Sequence, residues 1–505
     1  MYRTATVARD GSGGGEVFSM SDAALLSPAM RALAEFRREL EARPIDSLDL
    51  VDIEREMLER LSAIGREMMK TVLERADTKE PEVTINGAMH GNRRAGRETY
   101  HTTFGAIEVE RGTYQHSGRG RVAVPMELRL GMVEGTYTPK LARLLSHATA
   151  RMTNEEAHTF LDEVGLAKVS ISTLHRVPRA MAARFEQERA RIEPAVREAD
   201  VTPAGAVAVQ VALDGVMVPM DGEHARPRGR KTESPDPPRH EQRYGPSNAE
   251  PYDDEIGGRA YHEASVGTLA FVDGVGDVIK TIYLGEMPEP LKATLITNLK
   301  AELDAVVRER PDLDIVFASD GAPQHWTALE AIEAGLPDGC AKRRMYLVDM
   351  FHVAQYLQLG ADAVHGEGTP AAKELSEHWR VTLKAYDNGA LRVLKSMRYQ
   401  RKTLGYSPRM QLDKAIDYLA THRNADRTNY AEALRRNYPI GTGVTEAAAK
   451  TLVSVRMKRA GARYSHHGGQ TILLFRSAFL SGRFNLLARL LEATYAANVV
   501  TRKAS

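Results

Sequence analysis

Three acidic side chains stand where the sequence predicts rigid elements. Asp214 follows the apolar run 207–213, Asp320 follows the apolar run 314–319, and Glu446 opens an alanine-rich segment. Carboxylates that lie close together repel one another unless a divalent cation holds them, and a site with only oxygen ligands favours magnesium or manganese. Two such ions about 3.5–4 Å apart activate an attacking water or hydroxyl and stabilise the leaving oxygen. The three acids therefore predict a metal-dependent site if the fold brings them together.

Each acid alone has a commoner explanation. An Asp that follows a strand is more often a turn residue, and a Glu at a helix start is more often a surface residue that complements the helix dipole. Glu446 is expected in the first turn of a helix, since 441–443 favour a turn and a cap and 447–449 are alanines. Lys450 would lie one turn later on the same face and could contact a phosphate. Catalysis is favoured only by the three acids together.

The segments around the first two acids alternate between strand and helix patterns. We predict strands over 207–213, 266–272, 278–284, 314–319 and 345–348, and an amphipathic helix over 291–307. Asp273-Gly274 predicts a hairpin between the second and third strands. This order of three strands, a helix, a strand, a helix and a strand is the ribonuclease-H-like arrangement, in which the first and fourth strands are neighbours. Asp214 and Asp320 are therefore expected side by side at one edge of the sheet.

A chain of 505 residues is too long for one ordinary domain. The predicted fold class is multidomain α/β, with a ribonuclease-H-like core that carries a helical insertion and follows helical, small β and helix-turn-helix units. The predicted ranges are a flexible tail at 1–20, N-terminal helices at 21–80, a small β module at 81–134, a helix-turn-helix region at 135–190, the first part of the core at 200–356 with a disordered loop at 223–258, the helical insertion at 357–440, the final basic helices of the core at 441–490 and a tail at 491–505.

A candidate helix-turn-helix precedes the core. Residues 153–156 predict a helix start, Gly165 its end, and 170–176 the start of a second helix. The side chains expected to contact DNA are Ser172, Thr173 and Arg176. Two short helices around a glycine also occur in helical domains that bind no DNA, so this pattern alone leaves both interpretations open.

The formal net charge of +1 argues against a nucleic-acid-binding protein, but the distribution of charge argues for one. Residues 447–491 contain no Asp or Glu, which predicts a local cationic surface. The basic residues of this stretch are Lys450, Arg456, Lys458, Arg459, Arg463, Arg476, Arg483 and Arg489. A second basic run at 392–402 is either a solvent-exposed face or part of a surface that binds DNA.

Other features exclude several classes of protein. A single cysteine cannot form an internal disulfide or a cysteine-rich zinc site. The sequence has no run of about 18 apolar residues and no apolar stretch with a cleavage site near its start, so we expect neither a membrane partner nor a secretion signal. These features favour a cytoplasmic protein.

Four segments resemble a known family. The segment 439–450, Pro-Ile-Gly-Thr-Gly-Val-Thr-Glu-Ala-Ala-Ala-Lys, with the basic residues after it, resembles the C-terminal signature of bacterial insertion-sequence transposases of the ISKra type, relatives of the Mutator-like superfamily. Residues 213–215 and 318–322 resemble the strands that carry the first and second Asp, and 349–352 resemble the family's Asp/Cys-x-x-His element. The resemblance covers roughly 95–490.

The resemblance implies a transposase of the acid-triad (DDE) type that cleaves strands at transposon ends and transfers the 3′-hydroxyl into target DNA. It implies that Asp214, Asp320 and Glu446 bind two magnesium ions, which manganese can replace, and that Asp349 and His352 support or border the site. The implied partners are terminal inverted repeats, target DNA and further copies of the chain, at the bacterial nucleoid. The residues placed on DNA are Ser172, Thr173, Arg176, Lys450, Arg456, Lys458, Arg459 and Arg463.

Two other functions remain open. A transposase-derived DNA-binding protein could keep the fold without the chemistry, although the presence of all three acids argues against that. A different ribonuclease-H-like nuclease, such as a junction resolvase, would cut branched DNA without joining ends, and it would leave the helical insertion unexplained.

Overall fold

The computed structural model describes residues 22–44, 49–116, 122–165, 167–220, 260–336 and 343–501. The predicted tail at 1–20 and the predicted disordered loop at 223–258 lie outside the described residues. The chain divides into two compact units, of which the first comprises Met1–Leu141, Phe160–Lys168 and Ala497–Ser505, and the second Ala142–Thr159 and Val169–Ala496. The region 135–190, expected as a helix-turn-helix domain, is therefore shared between the two units.

The elements of the described residues are as follows. The strands are β1 (Val83–Ile85), β2 (Ala88–Thr102), β3 (Gly105–His116), β4 (Val122–Ala123), β5 (Ala206–Met220), β6 (Ala260–Asp273), β7 (Val278–Glu286), β8 (Asp314–Ser319), β9 (Arg344–Val348) and β10 (Val499–Thr501). The helices are α1 (Asp22–Glu41), α2 (Leu50–Ala76), α3 (Pro125–Leu130), α4 (Pro139–Arg151), α5 (Asn154–Glu163), α6 (Ile171–Ala199), α7 (Ala293–Glu309), α8 (Pro323–Glu333), α9 (Met350–His365), α10 (Pro370–Ala385), α11 (Gly389–Gln400), α12 (Tyr406–Asn424), α13 (Tyr430–Arg435), α14 (Gly443–Ala448), α15 (Val455–Met457), α16 (His466–Leu480) and α17 (Phe484–Ala493). A π-helical segment, Ala449–Ser454, joins α14 to α15. Among the described residues, no helix has both the length and the apolar character of a membrane span.

The first unit contains an antiparallel sheet of order β10-β1-β2-β3-β4. Tyr100 of β2 and Val109 of β3 are fully buried and pack in one cluster with Leu73 of α2 and Met126 of α3. The predicted tail at 491–505 is wrong up to residue 501, because α17 extends to Ala493 and β10 pairs with β1. The edge of a sheet presents unpaired backbone groups, and the short apolar β10 satisfies those of β1.

The second unit contains a sheet of order β7-β6-β5-β8-β9, in which β5, β6 and β7 are antiparallel and β8 and β9 run parallel to β5. The five predicted strands are confirmed, and so is the expectation that the first and fourth strands are neighbours. One boundary differs. The strand predicted to end before Asp214 continues to Met220, because Val216 and Val218 are buried and β5 pairs with β6 throughout this extension.

Alternate residues of β6 face two different helical layers, as the strand geometry requires. Gly267 lies under Leu299 of α7, which a Cβ at 267 would overlap, and Leu269 belongs to the same cluster. Val266, on the opposite face, packs in another cluster with Leu452 of the π-helical segment. The sheet is therefore covered by α7 on one face and by the elements that follow Glu446 on the other.

Helices α9 to α13 occupy the predicted helical insertion. The first of them begins at Met350 rather than at 357, because Asp349 caps it by accepting hydrogen bonds from two backbone N–H groups. Trp379 of α10 is almost fully buried among the residues of the main cluster. In the basic run at 392–402, Arg401 pairs with Asp413 at 2.5 Å and the guanidinium of Arg392 lies 3.8 Å from the centre of the Tyr386 ring.

The cationic surface predicted for 447–491 contains fewer basic residues than the sequence indicated, because three of its arginines are buried. Arg456, Arg476 and Arg483 are almost fully buried, at 4%, 8% and 8% exposure. Arg483 makes a bidentate ion pair with Glu302, with both contacts at 2.9 Å, and Arg476 donates to backbone carbonyl oxygens. Buried charges require such partners, so an arginine in this stretch is as often structural as exposed.

Burial of Glu286 on β7 makes the stability of the second unit depend on pH. Burial raises its pKa to about 8, with Glu289 and Glu186 adding to the rise and Arg189 opposing it. In the unfolded chain a glutamate ionises near about pH 4.3, so between these values the folded chain keeps a proton that the unfolded chain has lost. The contribution of Glu286 to the unfolding free energy is therefore highest at about pH 4 and below, and it falls as the pH rises from there to about 8.

The variant Glu286→Gln tests this dependence. An amide keeps an acceptor for the hydrogen bond from Gln470 and cannot ionise. From pH 5 to pH 8 we expect the unchanged chain to lose on the order of 2–4 kcal/mol more unfolding free energy than the variant. Urea denaturation at several pH values measures the difference, and parallel curves for the two proteins would contradict the assignment.

Candidate active site

The register of two parallel strands brings Asp214 and Asp320 to the same level of the sheet. In the β5–β8 pair, Ala212 lies opposite Ala318, so the same register extended by two residues places Asp214 opposite Asp320. Asp214 also lies on the same face of β5 as Val216, which packs against the elements after Glu446. The two aspartates therefore stand at corresponding levels of neighbouring strands, Asp214 within β5 and Asp320 directly after β8.

The carboxylate of Asp214 is half-buried and lies within the electrostatic field of the other two acids. Burial raises its pKa, the negative charges of Asp320 and Glu446 raise it further, and a backbone hydrogen bond from Gly215 and the charge of His325 lower it. Gly215 N donates to Asp214 Oδ1 at 2.7 Å. The charges of Asp320 and Glu446 thus both act on Asp214, and a divalent cation bound there would relieve this repulsion.

The carboxylate of Asp320 is held in its charged form. Burial alone would raise its pKa, but the hydrogen bonds from His325 and Ala322, with the nearby charge of His325, lower it well below the ordinary value. His325 Nδ1 lies 3.0 Å from Asp320 Oδ1, Ala322 N donates to the same oxygen at 3.0 Å, and Ser319 Oγ donates at 3.1 Å. These donors all engage Oδ1, so Asp320 is both ionised and fixed in orientation.

Glu446 lies in the first turn of α14 with about half of its side chain exposed, and its Oε1 is 4.0 Å from His352 Nε2. The segment 441–445, directly before it, is anchored at three points. Gln210 of β5 donates to Gly441 O at 3.1 Å, and the hydroxyls of Thr268 on β6 and Thr445 on α14 are 2.7 Å apart. Asp349, after β9, makes the third anchor.

Asp349 is fully buried and its two oxygens serve different elements. Oδ1 accepts from the backbone N–H groups of Phe351 and His352 at the start of α9. Oδ2 accepts from the backbone N–H of Thr442 and, at 2.7 Å, from its hydroxyl. The carboxylate therefore joins the start of α9 to the turn that precedes Glu446.

The acids do not form a ready-made metal cage. Among the described residues, no three His, Cys, Asp or Glu side chains are grouped closely enough to hold one metal ion. The donor set of Asp214, Asp320 and Glu446 consists of carboxylate oxygens, as magnesium prefers. About half of the Glu446 side chain is exposed, whereas Asp214 lies within β5 and Asp320 directly follows β8.

Comparisons with known proteins add little to this geometry. No protein-family model and no curated protein sequence matches the chain. The chain is weakly similar to the Drosophila P element transposase strand transfer complex, at 11% sequence identity and a TM-score of 0.26, over 71% of this chain and 82% of that chain. A TM-score this low carries no argument about the fold or the function of this chain.

The residues predicted to contact DNA fall into two groups. Ser172, Arg176, Arg456, Arg459 and Arg463 all line one cleft in the second unit. Thr173, Lys450 and Lys458 do not line it. The Thr173 hydroxyl lies 3.1 Å from Ser170 Oγ within the cap of α6, and Lys450 lies in the π-helical segment, where the regular α-helical spacing expected from Glu446 is not kept.

Three residues in the region around the acids were not predicted from the sequence. His325 stands five positions after Asp320 in the first turn of α8, a proximity that could have drawn attention to it. Tyr418 donates its hydroxyl to Asp320 O at 3.1 Å from the distant α12. Lys292, at 3% exposure, pairs with Glu263 and donates to Ser265 Oγ at 3.0 Å. No local pattern marks these last two.

The side chain of Glu263, which pairs with the buried Lys292, fills the space that a Cβ at Gly215 would occupy. A Cβ at Gly215 would overlap the carboxylate of Glu263, which lies across the strand. In Gly215→Ala we therefore expect Glu263 to be displaced and the buried Lys292 to keep only the Ser265 hydroxyl as a partner, at a cost of about 2–4 kcal/mol of unfolding free energy. Urea denaturation measures the loss.

Gly443→Ala is the matched control, because no atom lies within 4 Å of a Cβ at that position. We expect its unfolding free energy to change by less than about 0.5 kcal/mol. Equal stabilities of the two alanine variants would show that Glu263 does not need the space at Gly215.

Proposed function

We propose that the chain is a DNA transposase of the acid-triad type, whose active site is formed by Asp214, Asp320 and Glu446. The observation that supports the proposal is the β5–β8 register, which extended by two residues places Asp214 level with Asp320, together with the effect of the Glu446 charge on Asp214. The sheet order β7-β6-β5-β8-β9 supports a ribonuclease-H-like core, since that arrangement places the first strand beside the fourth.

Asp214, Asp320 and Glu446 would hold magnesium or manganese ions, which supply activation of an attacking water or 3′-hydroxyl and stabilisation of the leaving oxygen. The surrounding residues prepare these ligands. His325 and Ala322 N fix the Asp320 carboxylate, and Asp349 fixes the turn before Glu446. His352, close to Glu446, borders the site.

The proposed substrates are the terminal inverted repeats of a transposable element and a target DNA. Within the site the chain would hydrolyse one strand to expose a 3′-hydroxyl and join that hydroxyl to the target, so that each phosphodiester formed replaces one broken. Because two ends must be held together for joining, we propose a dimer or larger assembly on DNA. We further propose that the parent family is the ISKra type of insertion-sequence transposase.

The experiment that tests the proposal uses DNA that flanks the gene on both sides. The full chain is incubated with labelled duplexes of these flanks, a supercoiled plasmid and either Mg²⁺ or Mn²⁺. We expect cleavage that leaves 3′-hydroxyl ends and covalent joining of those ends to the plasmid. Sequencing of the joined products maps the cleaved ends, which should coincide with short inverted repeats.

Two outcomes would favour other functions. Binding to the flanking DNA without metal-dependent cleavage would indicate a transposase-derived DNA-binding protein. Cleavage of four-way junctions without any joining would indicate a resolvase of the same fold.

A further inference from the structure

A cleft of about 1150 Å³ lies in the second unit between the starts of α5 and α6 and the segment from Arg456 to Ile472. Its volume exceeds the roughly 300–1000 Å³ of ordinary small-molecule pockets, so it suits a stretch of a polymer better than a compact ligand. None of the three acids of the proposed active site lines it. The cleft is therefore a separate feature of the same unit.

The cleft is strongly cationic. Five arginines line it: Arg176, Arg179, Arg456, Arg459 and Arg463. Glu155 is the only carboxylate among its described lining residues. Two stretches of sequence more than 250 positions apart contribute these arginines, so their convergence is a product of the fold. A concave surface with this excess of guanidinium groups attracts phosphates.

Arg456 supplies the observation that points to a ligand. It is 4% exposed, and among the described residues its Nε has no hydrogen-bond partner. Its Nη1 donates to the Tyr464 hydroxyl at 3.1 Å, which in turn donates to Arg456 O at 2.9 Å. A buried guanidinium with an unmade hydrogen bond is costly, and an anion that reaches this nitrogen from the cleft would supply the missing acceptor.

Glu156 is paired with one of these arginines, Arg459. Its Oε1 accepts a hydrogen bond from Arg459 Nη1, while its Oε2 accepts from Thr153 N at 2.9 Å. The second contact is half of a capping box at the start of α5, since Glu156 N is also bonded to Thr153 Oγ1 at 3.1 Å. The carboxylate is thus fixed by the helix cap in a position where it neutralises the charge of Arg459.

We propose that this cleft binds consecutive phosphates of the DNA backbone, and that Glu156 weakens this binding by holding Arg459 until a phosphate displaces it. The inference rests on the proposed function for the identity of the polymer. It adds a phosphate-binding site apart from the three acids, with the buried Arg456 in its lining and a carboxylate that opposes binding.

The test measures binding of the full chain to a fluorescent 30-base-pair duplex of arbitrary sequence, by anisotropy at several KCl concentrations in the presence of EDTA. Glu156→Gln retains the acceptor of the capping box and loses the charge. We expect this variant to bind about threefold more tightly than the unchanged chain. We expect Arg459→Gln/Arg463→Gln to bind at least about tenfold more weakly and to lower the slope of log K against log salt by about 2.

Matched controls separate the cleft from total charge. Glu198→Gln makes the same charge change on an exposed part of α6, and Arg191→Gln/Arg308→Gln removes two exposed arginines that pair with acids of their own helices. We expect both controls to bind within about twofold of the unchanged chain. The proposal is overturned if the two double variants bind alike, or if Glu156→Gln binds no more tightly than Glu198→Gln.

The outcome is separable from that of the proposed function. Binding that depends on the cleft, in a chain that cleaves no flanking DNA, would uphold the cleft and reject the transposase. Cleavage and joining by Arg459→Gln/Arg463→Gln, with unchanged affinity for the duplex, would uphold the transposase and reject the cleft as a phosphate-binding site. A chain that binds no duplex at low salt would reject both.

Discussion

Asp320→Asn is expected to reduce cleavage and joining of flanking DNA by about 10²–10³-fold or more, because it removes the charge of one of the three carboxylates proposed to hold the metal ions. The amide is isosteric and can still accept the hydrogen bond from Ala322 N. It cannot carry the negative charge that His325 and its neighbours stabilise. A labelled-strand assay with Mn²⁺ measures both products.

Asp304→Asn is the control for this substitution, since Asp304 pairs only with the exposed Arg308 of its own helix among its described ion pairs. Its activity should stay within about twofold of the unchanged chain. Near-ultraviolet circular dichroism establishes that both variants are folded. Joined product that persists in folded Asp320→Asn at the rate of the control would end the assignment of the acids.

Asp349→Ala is expected to lower the unfolding free energy by about 3–5 kcal/mol, because it leaves the donors of Phe351, His352 and Thr442 without their common acceptor in the interior. It should also reduce cleavage at temperatures where the variant is folded, since the turn before Glu446 loses one of its three anchors. Denaturation in urea measures the first effect, and the strand assay measures the second.

Asp387→Ala provides the comparison. The Asp387 side chain is 74% exposed and its partner Arg435 is 58% exposed, so the loss of this pair should change stability by less than about 0.5 kcal/mol. A variant at 349 that is as stable and as active as this control would show that the buried carboxylate does not hold the turn.

The central strands were predictable because their apolar runs are short, continuous and bounded by turn residues. Residues 314–319 form β8 with the predicted bounds, and the neighbouring position of β5 followed from the order of elements. The end of β5 was not predictable from Asp214, since a charged residue at the surface of a strand does not interrupt its pairing with β6. The alternation of Val216 and Val218 after it was the available signal.

The surroundings of the acids depend on contacts that span long distances in sequence. Tyr418 reaches Asp320 from α12, and Lys292 reaches Glu263 from the turn before α7. Neither has a local pattern that distinguishes it from an exposed residue of its type. The burial of Arg483 was not predicted for the same reason, because its partner Glu302 lies in a separate helix.

The most direct test of the account is a crystal structure of the chain with a cleaved DNA end and Mn²⁺, in which anomalous scattering locates the ions. We expect an anomalous peak shared by the carboxylates of Asp214 and Asp320, with Glu446 moved in to complete the coordination and the 3′-hydroxyl of the DNA beside it. Manganese bound only elsewhere on the chain, with the three carboxylates and the DNA end apart, would contradict the account.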